Sequence, residues 1–510
     1  MRVKLKKEHE RNQKGGGIAK FSFETFGKNK LYDGDKKMKE RKTASAFGYP
    51  SVYPTGTTLY SPDKCWNGYT LLSMENSLLD MNGNVVNHWE TGASELIKAL
   101  PGGHVLVDST DVSLRRVAEP PSHSHINVKQ LDWGGNDIWV FNKFQQINMD
   151  VEGKGEMVWA ALQHHDFQRE GNPVGYYVPG MDPLVDKGNT LILAHKDVKK
   201  PEISPSLLHD DCIYEVTWEG EIIWEWLCGD HFDEFGFSEE AKNTMYRCGG
   251  IGRRAGPLGA EPVGAGRPPT KPASEGPSPF DWMHINCIST LGPNSWYDGG
   301  DERFQPDNII GCGRSTNILF IIEKKTGKIV WKVGPDYTAS SALRELGQIV
   351  GPHHCHMIPR GLPGAGNILV FDNGGAAGYG APNPGSPIGV NNALRDYSRI
   401  IEFDPLTLEK VWEYRDGKRF YSYFISSAQR LPNGNTLICE GAKGRIFEVT
   451  REGEIVWEYV SPPFSRLAPK PDYIIYRAYR VPYEWVPQLE KPVEKAVIPP
   501  DPADFRIQPQ

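Results

Sequence analysis

Long apolar runs are missing from this chain of 510 residues. The two most apolar stretches, NTLILA at 189–194 and NILFII at 317–322, are far shorter than the roughly 20 residues that a membrane-spanning helix needs. The N-terminus is basic, but it lacks the following apolar stretch of about seven residues that a secretory signal peptide requires. The sequence therefore predicts a protein without membrane contact, which we expect in the cytoplasm.

Paired cysteines and basic blocks are also lacking. The eight cysteines are scattered with no CxxC pair, which predicts reduced thiols. Lys and Arg number 57 against 64 Asp and Glu, and no basic block interleaves with aromatic residues. Nucleic-acid-binding proteins need such a basic surface, so DNA and RNA are not expected as partners. The oligomeric state is left open.

Glycine, proline and aromatic residues are abundant, and they occur in a repeated pattern. The chain has 54 Gly, 40 Pro and 14 Trp, a composition that favours short strands and turns over long helices. A β-prone run after Gly-Asn, a turn with Gly and a strand ending near Trp recur about six times. The clearest copies lie at 188–226, 308–333, 366–414 and 434–459, and weaker ones lie within 77–142.

About six units of three to four alternating strands predict an all-β fold, a six-bladed β-propeller. A lone four-stranded sheet cannot bury both faces, whereas radial packing of sheets around a channel can. The Trp at the end of each unit is interpreted as packing between blades. We predict a flexible basic N-terminal arm at 1–50, one propeller at 51–485 with a Gly/Pro-rich insert at 249–280, and an extended Pro-rich tail at 486–510.

Histidines fall just before the Gly-Asn strand in three units. The segments are QHHDFQ at 163–168, DWMHINCIS at 281–289 and GPHHCHMIP at 351–359. Because the innermost strand of each blade lines the axial channel, these side chains should converge. Together with Arg314 in GCGRS they form the candidate site, whose members are His164, His165, His284, His353, His354 and His356. An arginine beside imidazoles favours binding of sulfate, phosphate or carboxylate.

Two chemistries suit such a cluster. A neutral imidazole can attack a sulfuryl or phosphoryl centre and form a covalent histidine intermediate, while Arg and the other imidazoles stabilise the oxygens. Alternatively, three imidazoles can hold a divalent metal that activates water, with Asp166, Asp281 and Asp372 as candidate carboxylates. The residues alone do not separate these chemistries.

The motifs DWMHINCI, GCGRS, PHHCHMIP and LPNGNTLICEG resemble the arylsulfotransferases that work without phosphoadenosine phosphosulfate, and the similarity runs from about residue 54 to about 465. The resemblance implies a six-bladed propeller that passes a sulfuryl group from an aryl sulfate ester to a phenolic acceptor through a sulfo-histidine, in a ping-pong cycle. It implies that His353 is the nucleophile and that His284 and Arg314 bind the sulfate. His165 matches the remaining histidine, although the adjacent His164 could equally take that place.

Three departures from the family accompany this resemblance. The nucleophile segment carries two additional histidines, His354 and His356, and we assign these and His164 to substrate binding. The Gly/Pro-rich insert is also additional. The family's periplasmic location contrasts with the cytoplasmic location expected here. No cofactor is expected for sulfuryl transfer, and the small-molecule partners would be an aryl sulfate donor and a phenolic acceptor. The alternatives are a metal-dependent hydrolase or lyase, with a divalent metal at the histidine cluster, and a non-catalytic ligand-binding propeller.

Overall fold

The computed structural model describes residues 55–92, 94–110, 124–149, 156–248, 280–462 and 473–498. The N-terminal arm predicted at 1–50 lies outside the described residues, as does the insert predicted at 249–280 apart from Phe280. The tail predicted at 486–510 is described as far as residue 498. The domain boundaries stay predictions.

The described strands begin with β1 (Gly56–Tyr60) and then follow one another blade by blade. Blade 1 contains β2 (Tyr69–Leu72), β3 (Ser77–Leu79) and β4 (Val85–His88). Blade 2 contains β5 (Ile97–Leu100), β6 (His104–Ser109), β7 (Asn127–Leu131) and β8 (Asp137–Phe141). A ribbon of β9 (Gln145–Met149) and β10 (Glu156–Ala160) leads to blade 3. Blade 3 contains β11 (Gln163–Arg169), β12 (Thr190–Val198), β13 (Leu208–Val216) and β14 (Ile222–Leu227).

The second half of the chain repeats this plan. Blade 4 contains β15 (Ile285–Thr290), β16 (Ile309–Gly313), β17 (Ile318–Ile322) and β18 (Ile329–Val333). Blade 5 contains β19 (His353–Met357), β20 (Ile368–Asp372), β23 (Arg399–Phe403) and β24 (Lys410–Tyr414), with β21 (Ala377–Tyr379) and β22 (Val390–Ala393) as a separate ribbon. Blade 6 contains β25 (Ser427–Arg430), β26 (Thr436–Glu440), β27 (Arg445–Val449) and β28 (Ile455–Val460), and β29 (Ala478–Val481) follows.

The two ends of the propeller are joined by exchanged strands. Strand β29, the last described strand, pairs with β2 and becomes the innermost strand of blade 1. Strand β1, the first described strand, pairs with β28 and adds a fifth strand to the outside of blade 6. The six sheets therefore form a ring, and the predicted six-bladed β-propeller is confirmed.

Every blade has at least one tryptophan that is hydrogen-bonded to the next blade. Each indole Nε1 donates to a backbone carbonyl in a turn of the following blade at 2.8–3.0 Å. The six pairs are Trp89 with Asp132, Trp139 with Trp218, Trp224 with Lys324, Trp331 with Pro405, Trp412 with Arg451, and Trp457 with Met81. The last pair connects blade 6 to blade 1. The interpretation of these residues as packing between blades is confirmed.

Alternate residues of a strand enter different cores. In β17, Ile318, Phe320 and Ile322 belong to one buried cluster, with residues of blade 3. Leu319 and Ile321 belong to another, with residues of blade 5. Successive side chains of a strand point to opposite faces, so a strand covered on both faces is apolar throughout. This explains why NILFII does not show the polar-apolar alternation of a half-exposed strand.

Helices are few in the described ranges. They are α1 (Glu239–Cys248), α2 (Ser295–Asp298) and α3 (Ser341–Leu346), together with 3-10 turns at Pro101–Gly103, Cys228–Phe235, Glu302–Phe304, Gly417–Arg419, Gly441–Lys443 and Tyr483–Trp485. Side chains of Asn294 and Ser340 cap α2 and α3. No helix in the described part of the chain is long and apolar enough to span a membrane.

Candidate active site

Three histidines occupy unusual backbone conformations where the innermost strands of blades 3, 4 and 5 begin. His165, His284 and His354 have φ values of 58°, 54° and 50°. Each lies in or beside an irregularity in the pairing of its innermost strand with the next strand. A left-handed non-glycine residue is unfavourable, and such residues concentrate at functional sites because the surrounding structure must hold them. Histidines that the sequence places at equivalent positions of three blades therefore lie where the backbone is strained.

His284, His165 and Arg314 meet at the channel. The rings of His165 and His284 are in contact, with centroids 4.7 Å apart. Arg314 directly follows β16, and its backbone N–H donates to the His284 carbonyl at 3.1 Å, because β16 runs antiparallel to β15. The Nδ1 atom of His284 lies 2.6 Å from Asp281 Oδ2, and its side chain remains 18% exposed. His284 thus combines a carboxylate partner on Nδ1 with access to the channel.

His353 is held by hydrogen bonds on both ring nitrogens. Its Nδ1 lies 2.7 Å from Asn373 Oδ1, and the Asn373 amide nitrogen donates to the carbonyls of Ser422 and Ile425. The amide orientation is therefore fixed, and Nδ1 must be the donor to Oδ1. Nε2 accepts from the Ile425 backbone N–H at 3.2 Å. His353 is accordingly a neutral imidazole with the proton on Nδ1 and the lone pair on Nε2.

Burial and nearby positive charge keep His353 neutral. Burial lowers the pKa of His353 well below the ordinary histidine value, and the Arg314 guanidinium lowers it further. Burial also lowers the pKa of Arg314, while Asp281 acts in the opposite direction. Arg314 is half-buried. Among the described residues its guanidinium makes neither an ion pair nor a hydrogen bond, so a cation without a protein partner faces the site.

His354 and His356 form a further group of histidines on β19. Their rings lie 4.8 Å apart, and the charge that acts most strongly on His354 is that of Arg477. The Nε2 atom of His356 lies 2.9 Å from the Tyr176 hydroxyl, which the loop between β11 and β12 supplies. Burial lowers the pKa of His356 to about 4. The substrate-binding role assigned to these two histidines stays a prediction.

A buried ion-pair network crosses the channel beside this group. Lys98 Nζ lies 2.6 Å from Asp166 Oδ1, and Arg477 donates to Asp166 Oδ2 at 3.0 Å. Burial alone would raise the pKa of Asp166, but Arg477 and Lys98 together hold it below its ordinary value. Three different blades contribute these residues. Sequence reasoning missed Lys98 and Arg477, because no local motif marks them.

His164 contacts residues of blade 3. Its Nε2 lies 3.2 Å from Asp211 Oδ1, and its ring stacks on that of His195 with centroids 3.5 Å apart. His164, His195 and Asp211 place one potential ligand atom each within 4.8 Å of one another. Neither His195 nor Asp211 was among the candidate site residues named from the sequence. Among the described residues these ligand atoms lie close enough together to share one metal ion.

The carboxylates named from the sequence as metal ligands have other partners. Asp166 is bound by two cations, as described above. Asp372 pairs with Arg395 at 2.6 Å and with Arg399 at 2.7 Å, and Asp281 bonds to His284. These contacts support packing and histidine orientation.

Comparison with models of protein families identifies the family of this chain. The family model described as Arylsulfotransferase (ASST) matches residues 183–461, which is more than half of the chain. The chain belongs to the arylsulfotransferase family. This match supports an arylsulfotransferase-like function, a sulfotransferase at the family level. His284, Arg314 and His353 fall inside the matched span, whereas His164 and His165 precede it.

No curated protein matches this sequence. Solved structures match over most of their length but at low identity. A protein of unknown function from Bacteroides caccae is 12% identical, with 81% of this chain and 99% of that chain covered and a TM-score of 0.39. The Dos1 propeller is 9% identical, with 74% and 76% covered and a TM-score of 0.30. An inactive virginiamycin B lyase from Staphylococcus aureus with quinupristin is 8% identical, with 80% and 88% covered and a TM-score of 0.33. Similarity at this level carries no argument about activity.

Proposed function

We propose that this arylsulfotransferase-family protein transfers a sulfuryl group from an aryl sulfate ester to a phenolic acceptor, with His353 as the covalent carrier in a ping-pong cycle. The observation that carries the proposal is the tautomer of His353. Asn373 Oδ1 fixes the proton on Nδ1, 2.7 Å away, which leaves the Nε2 lone pair as the nucleophile. The positive charge that develops on the attacking ring is then stabilised by the same hydrogen bond.

The lone pair of His353 must be released before it attacks. Its partner is the Ile425 N–H, at the long distance of 3.2 Å. Ile425 and the following Ser426 have φ values of 52° and 94°. A β-branched residue in this region is strained, by about 1–3 kcal/mol. A small rotation of this segment, driven by relief of strain, would free Nε2 for the sulfur atom.

Arg314 supports the part of the proposal that concerns binding of the negatively charged sulfuryl group. Its guanidinium, which has no ion pair or hydrogen bond among the described residues, can donate two parallel hydrogen bonds to sulfuryl oxygens. His165, in ring contact with His284, supplies a further imidazole on the same side. Preorganised donors of this kind stabilise charge that grows on the equatorial oxygens during transfer.

His284 is suited to move the proton. Because Asp281 Oδ2 accepts from Nδ1, a second proton can reside on Nε2. In the first half-reaction His353 Nε2 forms a bond to sulfur, the sulfur–oxygen bond to the aryl group breaks, and the leaving phenolate takes the proton from His284. In the second, the phenolic acceptor returns a proton to His284, its oxygen attacks sulfur, and the nitrogen–sulfur bond breaks with its electron pair returning to His353.

The test is incubation with 4-nitrophenyl sulfate, first alone and then with phenol, followed by mass spectrometry of the intact protein and its peptides. We expect an added SO₃ group on the peptide with His353 before phenol is added, and phenyl sulfate as product afterwards. His353→Asn should abolish both, whereas the control variant His231→Asn, outside the candidate site, should retain them. An adduct on His284 instead would overturn the assignment of the nucleophile.

The alternatives give different products. A metal-dependent hydrolase or lyase at the histidine cluster would release inorganic sulfate or an elimination product at a rate independent of phenol, without a protein adduct. A non-catalytic ligand-binding propeller would release no nitrophenol. Formation of phenyl sulfate through an adduct excludes both of these outcomes.

A further inference from the structure

A cluster in blade 3 is not used by the proposed transfer. His164 lies on β11, His195 on β12 and Asp211 on β13, and all three are buried. His195 and Asp211 face each other as register partners across β12 and β13. The irregular pairing of β11 around His165 turns His164 toward them. Three consecutive strands of one sheet thus deliver three side chains to a single point.

Each of these side chains has an unpartnered atom near that point among the described residues. The rings of His164 and His195 are stacked in parallel with centroids 3.5 Å apart, so one ring must turn for both nitrogens to bind one ion. His164 Nε2, His195 Nε2 and Asp211 Oδ1 are buried and lack hydrogen-bond partners among the described residues. Asp211 Oδ1 lies 3.2 Å from His164 Nε2 and 4.0 Å from His195 Nε2, yet neither pair has the geometry of a hydrogen bond. A buried polar atom without a partner costs about 1–3 kcal/mol, so three together indicate a missing shared partner.

The other polar atom of each side chain is already occupied. His195 Nδ1 lies 3.0 Å from Ser124 Oγ, and Asp211 Oδ2 accepts from the Ile285 N–H at 3.0 Å. His164 Nδ1 lies 2.7 Å from His165 Nδ1. Metal-binding histidines and carboxylates are held in this way, with the outer atom hydrogen-bonded and the inner one free for the ion.

We propose that His164 Nε2, His195 Nε2 and Asp211 Oδ1 bind one divalent transition-metal ion. Two imidazoles and one carboxylate are a donor set that Zn²⁺ and Fe²⁺ accept. Ligand atoms of a tetrahedral zinc site are about 3.3 Å apart, close to the separation of His164 Nε2 from Asp211 Oδ1. His209 Nε2 is also buried and has no partner in the described part of the chain. Its ring lies 3.8 Å from that of His195, so a fourth nitrogen is near.

Such an ion would influence the channel through His164. A metal on Nε2 requires the His164 proton to lie on Nδ1, which then donates to His165 Nδ1. His165 Nδ1 would then be the acceptor, which fixes the tautomer of a histidine whose ring contacts His284. An effect of this tautomer on substrate rests on the proposed sulfuryl transfer, whereas the metal site itself does not. His164 and Asp211 would be positioning residues, acting on substrate through His165.

The experiment uses the untagged full-length chain, stripped with a chelator and titrated with Zn²⁺ by calorimetry and with Co²⁺ by visible absorption. We expect saturation at one ion per chain. His195→Gln and Asp211→Asn should each weaken binding by about a hundredfold or more, because each removes a ligand. His88→Gln is the control, since His88 lies beside a carboxylate, that of Glu90, but in β4 of blade 1; its binding should equal that of the wild type.

X-ray absorption spectroscopy of the Zn²⁺-loaded wild type keeps the test independent of how well the variants fold. The expected spectrum contains scattering from at least two imidazoles at about 2.0–2.1 Å. No saturable binding, a spectrum without imidazoles, or undiminished binding in both folded variants would overturn the metal site. None of these measurements depends on turnover, so failure of sulfuryl transfer would leave their outcome interpretable.

Discussion

The pair formed by Asp281 and His284 gives the sharpest test of the proton transfer. Asp281→Asn preserves shape but replaces the charged acceptor 2.6 Å from His284 Nδ1 with an amide. A hydrogen bond to a charged group contributes about 1.5–3 kcal/mol. If that stabilisation acts on the transition state, kcat/KM should fall about 10- to 150-fold, at roughly 1.4 kcal/mol for each tenfold change.

The assay is nitrophenol release from 4-nitrophenyl sulfate with phenol as acceptor, repeated with phenyl sulfate as donor and a second phenol as acceptor. The defect should be larger for phenyl sulfate, because its more basic phenolate depends more on the proton from His284. Glu234→Gln is the control: its carboxylate lies 2.8 Å from His231 Nδ1, and the His231 side chain, 17% exposed, resembles His284. Wild-type activity in Asp281→Asn, or an equal defect with both donors, would refute the role of His284 in proton transfer.

Three further predictions concern charge and pH. Arg314→Gln should lower kcat/KM by about 10²–10³, the usual effect of removing one preorganised donor to a developing anion, and unchanged kinetics would contradict the anion site. Since burial and Arg314 lower the pKa of His353, the acid limb of kcat/KM should lie below the ordinary histidine value of about 6.5; a limb at that value would show an unshifted group. His356 has a folded-state pKa of about 4, so the unfolded chain binds its proton first as the pH falls. From about pH 7.5 to pH 5, urea denaturation should show the wild type losing about 2 kcal/mol more unfolding free energy than His356→Gln, and equal losses would exclude the shift.

Much of the fold is predictable from local patterns. Repeated strand units predict blades because a four-stranded sheet must cover both faces, and the Trp at the end of each unit marks where neighbouring blades meet. The exchange of β1 and β29 between the ends leaves no local signal, because these strands complete sheets whose partners are hundreds of residues away.

The candidate site is predictable only in outline. Histidines at equivalent registers indicate the channel, and His165, His284 and Arg314 do come together there. The sequence does not show whether His353 or His354 points into the channel. Adjacent side chains of a strand point in different directions, and the local backbone conformation decides which one faces inward. That direction depends on the left-handed conformation of His354 and on the pairing of β19 with β20.

The amino-acid sequence by itself determined the architecture and the chemical types that line the channel, because strand periodicity and repeated motifs are local properties. Tertiary structure decided which nitrogen of His353 carries the proton, because Asn373 and Ile425 reach it from other segments. It also decided that His164, His195 and Asp211 share one point, because cross-strand register sets which side chains meet. The assembled sheets set where each side chain points and which groups it contacts. These contacts determine which atoms can react.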